Sequence, residues 1–307
     1  MGNVIVVGVD GTSGSQRAVE WTAQQASESG AEVVAVLAVR ATMRDSAAPR
    51  EPDRFRSWLL KIVANVSLGK LRRDLGSLTS LDEPVSRYLP DARHRYTLRH
   101  LLTMTAGTEA GGAWEIDEVM ARPSGWVDWI LTAPSKREPG AAFGYDNGSI
   151  HVLGAALAAA VGRPLSAYAR RHLFTPLGID AFEWPRDPDG VDYGFGHLRL
   201  RPRDIAKLGE LYLGGGTFAG RRLLAREFVE AATRAQTAGG VPEGASYGYL
   251  WWTAQDPVPH FFAAGYAGQS LTVIPELGLV AVAVGDEARL RPGWRNARHA
   301  VLAAFAE

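Results

Sequence analysis

Near residue 240 the apolar residues of this chain change their spacing, and that change decides the fold class. Before it, Arg99–Thr105, Trp126–Leu131, Ile150–Ala160, Leu165–His172, Arg203–Leu213 and Arg226–Ala235 repeat apolar residues at helical intervals. After it, Tyr247–Thr253, Phe261–Gly265, Ser270–Ile274 and Leu279–Gly285 are short apolar runs parted by turn residues such as Pro257 and Glu276-Leu277-Gly278. A closing helix is expected over Trp294–Phe305. Helices in the middle and strands near the end predict an α+β protein, a helical lobe plus an antiparallel sheet flanked by helices.

The first forty residues follow a different rule. Val4–Val9 is a continuous apolar run ending at Asp10-Gly11, which reads as a buried parallel strand. Thr12 or Ser13 can cap a helix whose stripe is Ala18, Val19, Thr22, Ala23 and Ala26; Gly30 stops it, and Val33–Val39 is a second strand. The stretch VVGVDGTSGSQRAVEWTAQQASESGAEVVAVLAVR resembles the opening of the universal stress proteins. In that family the Asp after the first strand faces a nucleotide, which implies such a role for Asp10. The resemblance stops near Arg40, and no glycine-rich phosphate loop follows. The β-α-β segment, residues 1–41, is therefore expected to pack on the sheet edge of the main domain. Thr42–Asp53 is polar with Pro49 and Pro52, so residues 42–54 read as a linker and 55–307 as the main domain.

The motifs that carry chemistry lie in the second half. Glu138-Pro-Gly-Ala-Ala-Phe-Gly-Tyr145-Asp-Asn147 sets a Tyr and an Asn two apart, directly before an apolar helix. Gly265-Tyr266-Ala267-Gly268-Gln269 sits on a later strand. Together with SLDEPVSRYLP, TLRHLLTMTAGT, LFTPLGID, RPRDIAKLGELYL and YGYLWW, they resemble class C β-lactamases, penicillin-binding proteins and related esterases of the 6-aminohexanoate-dimer-hydrolase type. The resemblance runs from about Phe55 to the end. It implies a β-lactamase/transpeptidase-like fold and acyl transfer through a serine. A serine hydroxyl is a poor nucleophile at neutral pH and needs a base in hydrogen-bond reach. In this family a Lys one turn later and the Tyr of the second motif serve it. Tyr145 is then the proton shuttle, and Asn147, Tyr266, Gly268 and Gln269 the substrate frame, with a strand N–H available to an oxyanion. Taken singly, Tyr145 reads as a loop residue and Tyr266 as a packing aromatic.

The nucleophile motif departs from the family. Counting from the lead-in Phe55-Arg56-Ser57-Trp58, the serine position is Leu59 and the lysine position Ile62. Ser57 and Lys61, four apart, share a helix face and are the favoured pair; Ser67 and Lys70 have the S-x-x-K spacing but lie close to Asp82, with Gly69 weakening a helix. Leu59, Ile62, Val63 and Val66 also make an apolar stripe, so a buried helix is expected whatever its chemistry. A fusion or a frameshift would both give such a junction.

Other classes are poorly supported. Lys+Arg and Asp+Glu both number 33, so no net charge draws the chain to nucleic acid or an acidic membrane. With no cysteine there is no disulfide, thiolate metal site or thiol nucleophile, and the seven histidines show no metal-binding spacing. No metal or cofactor is expected. The apolar start has no basic flank and is too short to span a membrane, so the chain is expected in the cytoplasm. Three readings remain: a hydrolase of small esters or amides, a catalytically dead ligand-binding relative, and a nucleotide-binding module.

Overall fold

The structure is a computed structural model that describes residues 4–9, 32–38, 80–93, 95–108, 116–265, 269–284 and 302. Its frame is one sheet of eight strands in the order β1-β2-β10-β9-β8-β7-β6-β5. The strands are β1 (Val4–Val9), β2 (Glu32–Ala38), β5 (Thr237–Gly240), β6 (Ala245–Tyr247), β7 (Trp252–Ala254), β8 (His260–Ala264), β9 (Ser270–Ile274) and β10 (Leu279–Val284). Strands β3 (Thr217–Phe218) and β4 (Arg221–Arg222) form a separate small hairpin. From β5 to β10 each neighbour pair is antiparallel. β2 is parallel to both β1 and β10, with Val282 opposite Val36 on one side and Leu271 on the other. Strands from the two ends of the chain thus share one hydrogen-bonded ladder.

Seven helices are described: α1 (Leu98–Leu102), α2 (Ile116–Met120), α3 (Trp126–Thr132), α4 (Asn147–Val161), α5 (Leu165–Ala169), α6 (Pro202–Leu213) and α7 (Arg226–Ala232). α4 is buried at every position from Asn147 to Leu157. It lacks the one-sided stripe of a surface helix because it runs through the middle of the helical lobe. α6 starts with Pro202 at a position that needs no N–H donor. It packs on the sheet at Gly209, where a Cβ would meet Val280 and Leu271. It stops at Gly214-Gly215-Gly216, with φ of +56° and +91° at the last two, as a helix-terminating turn requires.

The sheet has two covered faces. On one, Trp251 packs edge-on against Tyr212 of α6 at 4.8 Å and against Phe261 at 5.0 Å. On the other, Trp252 lies across from Phe262 and faces the loop before α4. An alternating Trp pair suggests one ring inward and one outward, yet both are buried, because the α6 helix covers the second face. The expected strand Tyr247–Thr253 is also two strands. Gly248 turns between them, its N–H bonded to the Trp251 carbonyl at 2.7 Å, and Leu250 takes a φ of +59°. A Cβ on Gly248 would run into the Ala232 carbonyl of α7, so this close approach breaks the run. α1 ends at Leu102, short of Thr105, and α5 passes into a π-helical turn at Arg170–Phe174. Of the closing helix, Leu302 is described, helical and buried. The helix expected between β1 and β2 and the linker at 42–54 lie outside the described residues.

Candidate active site

The Tyr-x-Asn stretch sits where a loop crosses the sheet and turns into α4. Asp146 makes that junction. As N-cap, its Oδ1 accepts the Gly148 N–H at 2.8 Å. Its Oδ2 accepts the hydroxyls of Ser149 at 2.8 Å and Thr108 at 3.4 Å. Fixing this residue fixes its neighbours: Tyr145 is left on the loop side and Asn147, 3% exposed, becomes the first residue of the helix. The loop is also tied to the turn after α1. Gly144 N–H donates to the Met104 carbonyl at 2.8 Å, the Asp146 N–H to the Met104 sulfur at 3.5 Å, and Gly140 N–H to the Thr105 carbonyl at 2.8 Å. Met104 holds a φ of +57°, an uncommon backbone state for a side-chain-bearing residue.

The ring of Tyr145 stacks on Trp252, with centroids 5.8 Å apart and planes 12° apart. Phe143 meets Trp252 edge-on at 5.7 Å and Tyr247 at 5.2 Å, and Tyr247 meets Trp252 at 4.6 Å. Four aromatic rings from the loop, β6 and β7 thereby form one wall. Burial is the main reason that the Tyr145 phenol is held well above its usual range; the negative charge of Glu243 pushes the same way. Tyr247 is raised by burial and then by Tyr145. At neutral pH both hydroxyls are protonated, so Tyr145 begins as a hydrogen-bond donor.

Gln269 directly precedes β9 and is 8% exposed, and its carbonyl accepts the Gly265 N–H at 2.9 Å. β8 lies between β9 and the Trp252 strand, so Gln269 stands two strands away from the wall. Of the site residues predicted from sequence, Tyr145, Asn147 and Gln269 are therefore in described structure. Ser57, Lys61, Tyr266 and Gly268 lie outside the described residues, as do Ser67, Lys70 and Asp10.

Sequence reasoning treated Asp146 as a spacer, although an Asp directly before an apolar helix is an N-cap signal. It also missed Glu243, whose hairpin position carries no motif. A buried pair, His151 with Asp187, was missed as well. The His151 Nε2–H donates to Asp187 Oδ2 at 3.0 Å, and Nδ1 accepts the Gly194 N–H at 3.2 Å, which fixes the neutral tautomer. Burial alone would raise Asp187; donation from His151 and from the Val191 and Asp189 N–H groups outweighs it and holds the carboxyl below its usual range. Both ring nitrogens are committed and both side chains are fully buried, so this pair ties a loop to α4 and is no acid–base dyad. Trp126 is core at 2% exposure, and Trp129 lies half-buried under the Arg122 guanidinium at 5.4 Å. No group of three or more metal-ligating side chains occurs among the described residues.

Comparison with known proteins matches residues 76–304 to the Beta-lactamase family and residues 1–64 to the Universal stress protein family. No curated protein matches the chain. Among solved structures, a Bacillus anthracis protein provisionally named a 6-aminohexanoate-dimer hydrolase aligns with a TM-score of 0.72 at 18% identity, over 86% of this chain and 75% of its own. EstCE1, a hydrolase with promiscuous acyltransferase activity, aligns with a TM-score of 0.66 at 18% identity, over 95% of this chain and 98% of its own. A penicillin-binding protein homologue from Caulobacter crescentus aligns with a TM-score of 0.61 at 18% identity, over 82% of each chain. At such identities the likeness is one of fold. Among the described residues no single helix is long and apolar enough to cross a membrane.

Proposed function

Because the chain belongs to the Beta-lactamase family, we propose that it transfers the acyl group of a small ester or amide to water through an acyl-enzyme. The observation that carries this reading is the Tyr145-Asp146-Asn147 junction, with the shuttle phenol stacked on the sheet and the Asn at the head of a buried helix. In the proposed reaction a serine Oγ attacks the acyl carbon and its proton passes toward a base. Tyr145 returns a proton to the leaving group, and water then releases the acid. Asn147, Tyr266, Gly268 and Gln269 frame the acyl group. Ser57 is the proposed nucleophile and Lys61 its base. No metal or cofactor has a part in this scheme, and neither nucleic acid nor a membrane is proposed as a partner.

A second reading is a ligand-binding relative that keeps the fold without the chemistry. It is favoured by Leu59 and Ile62 at the family's serine and lysine positions, and by Ser57 and Lys61 falling ahead of the Beta-lactamase match and within the stress-protein match. Incubation with a short-chain p-nitrophenyl ester and with an activated phosphonate, followed by intact mass, separates the two. The hydrolase reading expects ester turnover and a covalent adduct that Ser57→Ala abolishes. Neither turnover nor adduct leaves the binding protein.

For the first 41 residues we propose a β-α-β segment integrated into the main sheet, with 42–54 as linker and 55–307 as the hydrolase domain. A nucleotide role for Asp10 would appear as an ATP-induced rise in melting temperature lost in Asp10→Ala. The cytoplasm is the proposed compartment; cell fractionation tests it.

A further inference from the structure

The turn that closes α1 is a helix stop of the kind that ordinarily uses glycine. The Met104 N–H donates to the Leu101 carbonyl at 3.3 Å and the Thr105 N–H to the His100 carbonyl at 2.8 Å. These are the paired bonds of a Schellman turn, and Met104 takes its left-handed position with a φ of +57°. Glycine adopts that state without steric cost, whereas a methionine there is strained. Both chain neighbours of Tyr145 are bonded to this one residue, Gly144 N–H to its carbonyl at 2.8 Å and Asp146 N–H to its sulfur at 3.5 Å. Two further rungs follow, Gly140 N–H to the Thr105 carbonyl and Lys136 N–H to the Gly107 carbonyl, each at 2.8 Å, so the loop runs back along the turn. The same turn reaches the partner of the Tyr145 ring. The Leu102 carbonyl accepts the Leu250 N–H at 3.0 Å, and Leu250 stands two residues before Trp252.

A glycine at position 104 would serve the helix stop better and would keep the carbonyl bond to Gly144. What it would lose is a buried side chain, 1% exposed, and the acceptor for the Asp146 N–H. A thioether is a weak acceptor, but Asp146 is itself 2% exposed, so water is a poor replacement for it. We propose that Met104 is a positioning residue for Tyr145: its carbonyl and its sulfur clamp the residues on either side, so that the phenol stays stacked on Trp252. The consequence for turnover rests on the hydrolase reading; the clamp itself does not.

The test removes the sulfur in two ways from the full chain. Met104→Leu keeps an apolar side chain of similar volume, and norleucine, supplied in place of methionine, keeps the straight chain as well. Backbone hydrogen exchange is read by NMR at Gly140, Gly144 and Asp146, and the Tyr145–Trp252 stack by near-UV circular dichroism. Both proteins should exchange the Asp146 N–H about tenfold faster, with Gly140 and Gly144, bonded to backbone carbonyls, changing by less than about twofold. The stack signal should weaken, and kcat for a p-nitrophenyl ester should fall about tenfold with KM nearly unchanged. Norleucine in the Met104→Leu chain should add nothing at Asp146, which assigns the effect to this methionine among the four. Should Met104→Leu fail to fold, the norleucine protein alone decides. Unchanged exchange at Asp146, an equal rise at all three amides, or an unchanged kcat in a parent that turns the ester over would overturn the proposal. A parent without turnover sinks the hydrolase reading alone, and the exchange and stack signals then decide for or against the clamp.

Discussion

Removing one oxygen from Tyr145 separates its chemistry from its packing. Tyr145→Phe keeps the ring on Trp252, so the melting temperature should stay nearly unchanged, while ester turnover should fall by about 10²- to 10⁴-fold if the phenol moves a proton. A turnover loss accompanied by a large drop in melting temperature would mean that the hydroxyl serves structure instead. Asp187→Asn tests the opposite kind of residue. An Asn amide must turn its NH2 either to the His151 Nε2–H or to the Asp189 and Val191 N–H groups, donor against donor both ways, and the other His151 tautomer would set the ring against the Gly194 N–H. We expect a loss of about 3 kcal/mol in denaturant unfolding, with ester turnover changed little in the folded variant. Because the folded-state carboxyl sits below the ordinary aspartate value of 3.8, its contribution is present above that pH and fades as pH falls through the folded value. The gap between parent and variant should therefore close in strong acid. The two tests also mark what a sequence discloses. Tyr145 and Asn147 are legible because their chemistry and spacing are local. His151 and Asp187 lie 36 positions apart, and only the tertiary fold makes them partners.

At the scale of elements, glycines set the punctuation. Gly216 has a φ of +91°, and a Cβ there would strike the Leu224 backbone, so Gly216→Ala meets both strain and a clash. It should lower stability by about 2–3 kcal/mol, read as a shift in denaturant midpoint without a change in slope. Gly220 also has a positive φ, +75°, but with open space around it. The same substitution there should cost about half as much. The terminating turn after α6 was visible in the run Gly214-Gly215-Gly216. The break between β6 and β7 was not, because Tyr247–Thr253 is apolar throughout, and its interruption comes from α7 approaching Gly248. The small β3–β4 hairpin and the two-glycine strand β5 were also missed, since neither has enough apolar residues to show a period.

For the whole molecule, the informative feature is the joint between β2 and β10. The interior of β10 is fully buried, with Val280 and Val282 at 0% exposure, and each of its residues has a partner on β2. A chain begun at residue 42 would leave that apolar strand as an open edge. We expect such a truncation to aggregate on size-exclusion chromatography and to have a lower melting temperature; a monodisperse, equally stable product would mean that β1 and β2 are dispensable. The α+β class was readable from periodicity alone, but this joint was not fixed by any residue pattern, since parallel pairing between distant strands leaves no local mark. It also has a temporal side. On the ribosome, β2 emerges well before its partner, because the helical lobe and strands β5 to β9 lie between them in the sequence. β2 must then wait with one flank unfilled while all those elements are made, which makes this protein a candidate for chaperone dependence during translation.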